Sequence, residues 1–197
     1  MFEEIYKQIE DEVIKIAYQI SIDENQKNVY SLNIGELQLR IYTQLEAVLK
    51  SKYEKDPTIS NKKQGVKYDE CITPLHLSDK AAVVVWGNYN LNKKLYSDVF
   101  KKTVPRLAQD GSTPTSSKQN YKFNNAYQNL RHSFEESLKV YGTIEYLFEA
   151  LAALYILLDY DNSVIFSKCK VDPNNPKKVS VWKSNGHGMS GRITIEL

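Results

Sequence analysis

Apolar residues in the first third of the chain recur every three or four positions, which is the spacing of one face of an α-helix. The pattern predicts a first helix over residues 2–20 and a second over about 36–53. Asp56 and Pro57 are expected to end the second helix, because proline disfavours helical backbone at the preceding residue. Residues 54–77 combine proline, glycine and clustered lysines without a period, so they predict an irregular connector.

The middle of the chain is less regular. The short apolar run Ala81–Trp86 fits either a strand or a buried helical turn, because periodicity does not separate the two. Apolar spacing from Tyr89 to Phe100 predicts another helix, which Pro105 would end. Residues 110–120, reading DGSTPTSSKQN, are typical of a mobile or disordered loop.

Residues 123–160 carry the strongest pattern. An amphipathic helix is predicted from 123 to about 138, followed after Gly142 by a helix that is apolar on nearly every side and therefore belongs in a core. Thr143 is expected to cap the second helix through its hydroxyl. The predicted buried side of the first helix is Phe123, Ala126, Tyr127, Leu130 and Phe134.

After Tyr160 the pattern changes to short alternating runs, SVIFSKCKV, KKVSVW and RITIEL, which predict strands. The expected fold is mainly α, an up-and-down helical bundle over residues 1–160 with a small β appendage over 161–197. Residues 186–191 spell G-x-G-x-x-G, but no helix follows to bind a phosphate, so a hairpin loop is favoured.

Composition excludes few functions. The net charge of +2 does not require a nucleic-acid partner. Cys71 and Cys169 stand far apart and lack other ligands at metal-binding spacing, so neither a metal nor a cofactor is predicted and free thiols are expected. No signal peptide is recognisable, and the apolar run 146–158 is too short to span a bilayer. The protein is expected to be cytoplasmic.

A polar stripe accompanies the first helix of the 123–160 pair. Its members, at spacings of three and four residues, are Asn125, Gln128, Asn129, His132 and Glu136. A histidine beside Arg131 could transfer a proton or contact a phosphate, because its ordinary pKa lies near neutrality. The stripe is equally typical of the solvent-facing side of an amphipathic helix.

Three further features have two interpretations each. Glu46, at the edge of an apolar face, could orient an arginine or histidine, or could reach solvent along its stem. Lysines near residues 62–67, 93–94, 101–102 and 168–183, with tyrosines between some of them, would attract RNA if they share one surface and would only aid solubility if dispersed. His76 has no partner recognisable in the sequence and is expected to be structural or exposed.

The order of a helix reading ELQLRIYTQLEAVLKSKY, a long connector, a helix containing AYQNLRH and a closing helix reading TIEYLFEALAALYILLDY resembles HEPN-like domains. The likeness covers roughly residues 30–160. These all-helical modules occur in bacterial toxin–antitoxin, antiphage and RNA-processing systems, commonly as homodimers. In catalytic members an arginine and a later histidine, separated by four to six residues, form a metal-independent ribonuclease site across the dimer.

The resemblance implies a site at His132 and Arg131 with Glu46 orienting one of them, and RNA contacts from Asn125, Tyr127, Gln128 and Asn129. The spacing departs from the family, because Arg131 is adjacent to His132 and Asn125, Ala126 and Tyr127 occupy the arginine positions. Two main hypotheses follow. The chain is a HEPN-like homodimer that binds or cleaves RNA or nucleotides, with an antitoxin as a further partner. Alternatively it is a non-catalytic dimerisation or protein-interaction module. A small-molecule enzyme is a third hypothesis without a supporting motif.

Overall fold

A computed structural model describes residues 1–62, 68–86, 93–112, 114–185 and 189–197. Its helices are α1 (Phe2–Ala17), α2 (Leu32–Lys55), α3 (Tyr68–Ile72), α4 (Lys122–His132), α5 (Phe134–Tyr141) and α6 (Ile144–Leu158), with a short 3-10 turn at Leu77–Asp79. Its strands are β1 (Ala81–Val84), β2 (Leu95–Tyr96), β3 (Lys102–Leu107), β4 (Pro114–Tyr121), β5 (Phe166–Asp172), β6 (Asn175–Asn185) and β7 (Met189–Glu196).

The protein has an α+β fold, and the predicted mainly α bundle is wrong. Within the described ranges, one antiparallel sheet has the strand order β2-β1-β5-β6-β7, and β3 and β4 form a separate hairpin. The three C-terminal strands were correctly predicted. They continue a sheet that β1 and β2 begin in the middle of the chain, because Ala81–Val84 pairs with Phe166–Cys169. The ambiguous apolar run at Ala81–Val84 is therefore a strand.

Helix α6 forms the centre of the hydrophobic core. Nearly all of its residues are buried, as its apolar composition predicts, and α1, α2 and α4 pack around it. Its amino end is not capped by the Thr143 side chain, contrary to prediction. The chain before α2 fills that role, because the Ile144 and Glu145 amides donate to the carbonyls of Val29 and Lys27 at 3.0 and 2.9 Å.

The sheet joins the helices through aromatic packing at β5. The Phe166 ring stacks on Tyr155 of α6 at a centroid distance of 5.5 Å and meets Tyr96 of β2 edge to face at 5.8 Å. Aromatic pairs of this geometry add to the free energy gained by burying their surface. One core therefore spans the helices and the near face of the sheet.

Glu10 ties α1 to the segment that enters β5. Its carboxylate is almost fully buried and accepts hydrogen bonds from the amides of Val164 and Ile165, both at 3.1 Å. The hydroxyls of Ser163 and Tyr6 also donate to it. A buried carboxylate is tolerated only when its oxygens are satisfied, and here four donors meet that need.

Helix prediction succeeded where apolar spacing reflects one buried face. The first two predicted helices correspond to α1 and α2, with α2 beginning earlier than expected because the Ser31 hydroxyl accepts from the Ile34 amide at 3.2 Å and caps it. The helix predicted over 123–138 is two helices, α4 and α5, separated at Ser133. The connector predicted over 54–77 contains α3, and its residues 63–67 lie outside the described residues.

Two predictions in the middle of the chain were wrong. The helix predicted up to Pro105 is replaced by β2, a turn and β3, although residues 87–92 of that prediction lie outside the described residues. The buried Val99 and Phe100 produce helix-like spacing by inserting into the core from the turn. The predicted mobile loop at 110–120 contains most of β4, which pairs with β3 along Lys102–Leu107.

The structure describes part of the glycine-rich segment near the C-terminus. Strands β6 and β7 pair antiparallel as far as Asn185 opposite Met189. Residues 186–188 of the predicted hairpin loop lie outside the described residues. Among the described helices, none is both long enough and apolar enough to cross a membrane.

Glu149 on α6 provides a prediction about pH. Burial raises the pKa of this carboxyl above its ordinary value of 4.5, Lys122 opposes the rise and Glu145 adds to it. A folded carboxyl that binds its proton more tightly than the unfolded one makes the protein less stable as the pH rises. We therefore expect Glu149→Gln to raise the free energy of unfolding at pH 7 by about 0.5–2 kcal/mol.

Urea denaturation of both proteins from pH 4 to pH 7 measures this effect, and the advantage of Glu149→Gln should grow with pH. Glu145→Gln is the matched control one turn away, because Glu145 is paired with Lys122 at 2.5 Å and should lose stability on neutralisation. An advantage of Glu149→Gln that is constant over this range would contradict the prediction.

Candidate functional site

A groove runs between the β3–β4 hairpin and helices α2, α3 and α4, with a cavity volume of about 490 Å³. We call it the basic groove. Helix α2 contributes Glu46, Leu49 and Lys50 from one of its faces, and α3 contributes Tyr68 and Cys71. The hairpin forms the opposite wall. The hairpin is held against α4, so the shape of the groove depends on that contact.

Positive side chains predominate among the charged residues that line the basic groove. They are Lys50 from α2, Lys102 and Arg106 from β3, and Lys118 from β4. The carboxylate of Glu46 lies among them and accepts a hydrogen bond from Lys50 at 2.8 Å. This hydrogen bond and the negative charge of Glu46 raise the pKa of Lys50. The excess of cations over carboxylates suits an anionic ligand.

Side-chain amides form a second part of the lining. Asn120 accepts a hydrogen bond from Asn124 at 3.1 Å, and Asn124 in turn accepts one from Gln128 at 3.5 Å. Gln119 lines the groove beside them. Each amide offers both donors and acceptors, so the group can bind polar edges of a ligand as well as charged oxygens.

The floor of the groove contains Tyr68 and Cys71. The Tyr68 hydroxyl is buried without a hydrogen-bond partner among the described residues. Burial raises its pKa, so it remains a neutral phenol that can donate to a ligand. Burial also raises the pKa of Cys71 to about 11, so that side chain is a thiol at neutral pH and a poor nucleophile.

Of the four residues predicted to contact RNA, only Gln128 lines the basic groove. Asn125 is buried, and its side-chain oxygen accepts from the Leu107 amide at 3.1 Å. Asn129 donates to the Leu107 carbonyl at 3.3 Å. These two amides therefore attach β3 to α4. The stripe that the sequence assigned to solvent or RNA is partly covered by the hairpin.

Tyr127 is the fourth of these residues and belongs to the core. It is 7% exposed, and its ring packs against Tyr42 of α2 at a centroid distance of 5.2 Å. Arg131 also lies over the Tyr127 ring, with its guanidinium carbon 5.8 Å from the centroid. Arg131 also donates to the Tyr127 hydroxyl at 3.4 Å.

The predicted catalytic residues do not share one cavity. Arg131 and His132 are both exposed at the carboxyl end of α4, and neither lines the basic groove. Glu46 does line it and is paired with Lys50. The hypothesis required His132 and Arg131 to face a common hollow with Glu46 orienting one of them. The structure brings Glu46 and Gln128 to the same groove, without His132.

Two cations of the hairpin, Arg106 and Lys118, were not predicted as site residues from the sequence. The third, Lys102, lies in one of the lysine clusters noted above. Arg106 was assigned to the region after a predicted helix, and Lys118 to a disordered loop. Hairpin geometry places them on one wall because β3 and β4 are antiparallel neighbours. The sequence carried no signal for this wall, because residues 114–120 show no alternation of apolar with polar positions. His76 is exposed, as expected, and has a left-handed backbone with φ of 50°.

Comparison with known proteins identifies no relative. No family model matches the chain, and neither a curated protein nor a solved structure is significantly similar to it. Within the described part of the chain, no group of three or more histidine, cysteine, aspartate or glutamate side chains could hold a metal ion. The functional argument therefore depends on the groove itself.

Proposed function

We propose that this protein binds RNA or a nucleotide in the basic groove. The observation that carries the proposal is the convergence of Lys50, Lys102, Arg106 and Lys118 on one cavity that also presents Gln119, Asn120, Asn124 and Gln128. Cationic side chains neutralise phosphates, which provides most of the affinity of proteins for nucleic acids. Amide side chains hydrogen-bond to base edges. The basic groove provides both cations for phosphates and amides for base edges.

Single-stranded RNA fits this arrangement better than a duplex. The groove is a concave site with a volume of about 490 Å³, within the range of about 300–1,000 Å³ for small-molecule pockets, so it would take unpaired nucleotides. Tyr68, which is only partly buried, lines it, and aromatic side chains stack on unpaired bases. The Tyr68 hydroxyl would gain a partner in the complex.

A salt titration of RNA binding tests the proposal. Fluorescence anisotropy with a labelled single-stranded RNA of mixed sequence should give an affinity that falls as salt rises. If three groove cations contact phosphates, affinity should fall roughly 20-fold between 50 and 200 mM salt, because each contact with a single strand contributes a slope of about 0.7. Absence of binding at 50 mM salt would refute the proposal.

Charge-neutralising variants locate the site. Arg106→Gln with Lys118→Gln should weaken RNA binding by roughly tenfold or more and flatten the salt dependence, because two phosphate contacts are lost. The matched control is Lys177→Gln with Lys178→Gln, which removes the same charge from exposed positions on β6. Equal losses in the two double variants would show that net charge alone attracts RNA, and that the groove is not the site.

Cleavage of RNA requires a separate test. The resemblance to HEPN-like domains implies that the protein cleaves RNA, with His132 transferring a proton and Arg131 stabilising the charge of the phosphate. Incubation of the purified protein and His132→Ala with mixed RNAs, followed by gel analysis, decides between cleavage and binding alone. Because His132 does not line the groove, His132→Ala should leave RNA affinity unchanged.

The second candidate function is a non-catalytic dimerisation or docking module. The observation in its favour is the exposure of Tyr18, Tyr30 and Leu32 in and beside the segment that joins α1 to α2, at 84%, 43% and 62%. Large apolar side chains that remain exposed can mark an interaction surface. Light scattering after size-exclusion chromatography would reveal a dimer, and Leu32→Ser with Tyr18→Ser should dissociate it if this surface forms the contact.

A further inference from the structure

A second pocket lies on the opposite face of α2 from the basic groove. It has a volume of about 840 Å³ and is bounded by the amino end of α1, the carboxyl ends of α2 and α6, and the connector around the 3-10 turn. Residues 48, 52 and 55 of α2 face it, whereas residues 46, 49 and 50 face the groove. At 100° per residue these two sets point in nearly opposite directions.

The walls of this second pocket are largely apolar. Six hydrophobic side chains line it, namely Phe2, Val48, Leu75, Leu77, Leu157 and Leu158. Val48, Leu77 and Leu157 are themselves buried, so the cavity reaches the main core. Such a surface favours an apolar ligand, because each methylene group transferred from water contributes to binding.

Positive side chains predominate among the charged residues that line the same pocket. Lys52, Lys55 and Lys80 line it together with Asp56. The Lys52 side chain is half-buried and donates to the Leu158 carbonyl at 3.4 Å. Burial lowers the pKa of Lys52 and the neighbouring charge of Lys80 lowers it further, whereas Asp159 raises it. An ammonium group has three donors, and an anion placed here would relieve the repulsion between these lysines.

We propose that this pocket binds a medium- or long-chain monocarboxylate, with its carboxylate at Lys52 and Lys80 and its alkyl chain along Val48, Leu75 and Leu157. The lining fits both parts of this ligand, because the apolar walls suit its alkyl chain and the lysines suit its carboxylate. An inorganic anion would leave the apolar walls uncovered, and an uncharged alkane would make no use of the ammonium groups of Lys52 and Lys80. The site is independent of RNA binding, since the two cavities lie on different faces of α2.

Isothermal titration calorimetry with dodecanoate, kept below the concentration at which it forms micelles, tests the proposal on the full chain. We expect saturable binding of one molecule, and roughly 15-fold weaker binding of decanoate, because two fewer methylenes are buried at about fourfold each. Dodecan-1-ol should bind more weakly than dodecanoate. Failure of the wild-type protein to bind dodecanoate, or equal affinity for the alcohol, would overturn the proposal.

Lys52→Met retains the length and apolar character of the side chain and removes the charge. It should weaken dodecanoate binding by roughly tenfold and leave dodecan-1-ol binding unchanged. Lys7→Met, on an exposed position of α1, should change neither. If Lys52→Met does not fold, Lys80→Met serves the same purpose, because Lys80 is exposed. Unchanged dodecanoate affinity in the folded variant would show that the lysines do not bind the carboxylate.

The outcomes for the two proposals can be told apart. If the wild-type protein binds dodecanoate but not RNA, the proposed function is refuted and this inference stands.

Discussion

Replacing Glu10 with alanine is expected to lower the free energy of unfolding by about 3 kcal/mol. The carboxylate accepts from the amides of Val164 and Ile165, and its removal leaves the buried Ile165 amide without a partner and the Val164 amide, on a 55% exposed residue, with water alone. Each buried donor left unsatisfied costs about 1–3 kcal/mol. The buried hydroxyl of Tyr6 loses one of its contacts as well.

Urea denaturation followed by circular dichroism measures the loss. Glu12→Ala is the control, because Glu12 is two residues away on the same helix, is only partly buried, and is paired with Arg40 at 2.6 Å. An exposed pair of this kind contributes about 0–1 kcal/mol. Hydrogen exchange should also accelerate at the Val164 and Ile165 amides in Glu10→Ala. Similar losses of stability in both variants would show that Glu10 does not join α1 to the sheet.

The second large effect is expected at Asn125. Asn125→Ala removes the acceptor of the Leu107 amide and should lower the free energy of unfolding by about 2 kcal/mol. The hairpin forms one wall of the basic groove, so loosening it should also weaken RNA binding, although Asn125 does not line the groove. Chemical denaturation and RNA anisotropy on the same preparation measure the two effects together.

Gln128→Ala is the matched control for Asn125. Gln128 is one turn further along α4, is half-buried, and lines the groove. Its truncation should weaken RNA binding while changing stability by less than about 0.5 kcal/mol. If Asn125→Ala weakened RNA binding without any loss of stability, Asn125 would be a direct RNA contact, and the structural role assigned to it would be wrong.

The predicted polar stripe shows how much of the site the sequence contained. Its spacing correctly placed Phe123, Ala126 and Leu130 on the buried side of α4. It also placed Asn125 on the solvent side, although that residue is buried. A polar side chain can face either water or unsatisfied backbone groups, and local spacing does not distinguish the two. The partner of Asn125 is the hairpin, which the sequence did not reveal.

The hairpin escaped prediction for a related reason. Residues 114–121 contain serine, threonine, glutamine and asparagine, and few apolar side chains mark a buried face. Strand β3 contains Pro105, which is accepted because both strands of a two-stranded sheet are edge strands. The hydrogen bonds from α4 and the pairing with β3 stabilise this segment. Neither interaction requires apolar side chains at regular spacing, so neither leaves a pattern in the sequence.

The sequence by itself determined α1, α2, α6 and the three C-terminal strands, because their apolar spacing records which side of each element is buried. Only the tertiary structure decided that those strands join Ala81–Val84 in one sheet, and that Lys50, Lys102, Arg106 and Lys118 share a groove. Burial of apolar side chains leaves a local periodic pattern. Strand pairing and the convergence of charges depend on contacts between distant residues, and these leave no period in the chain.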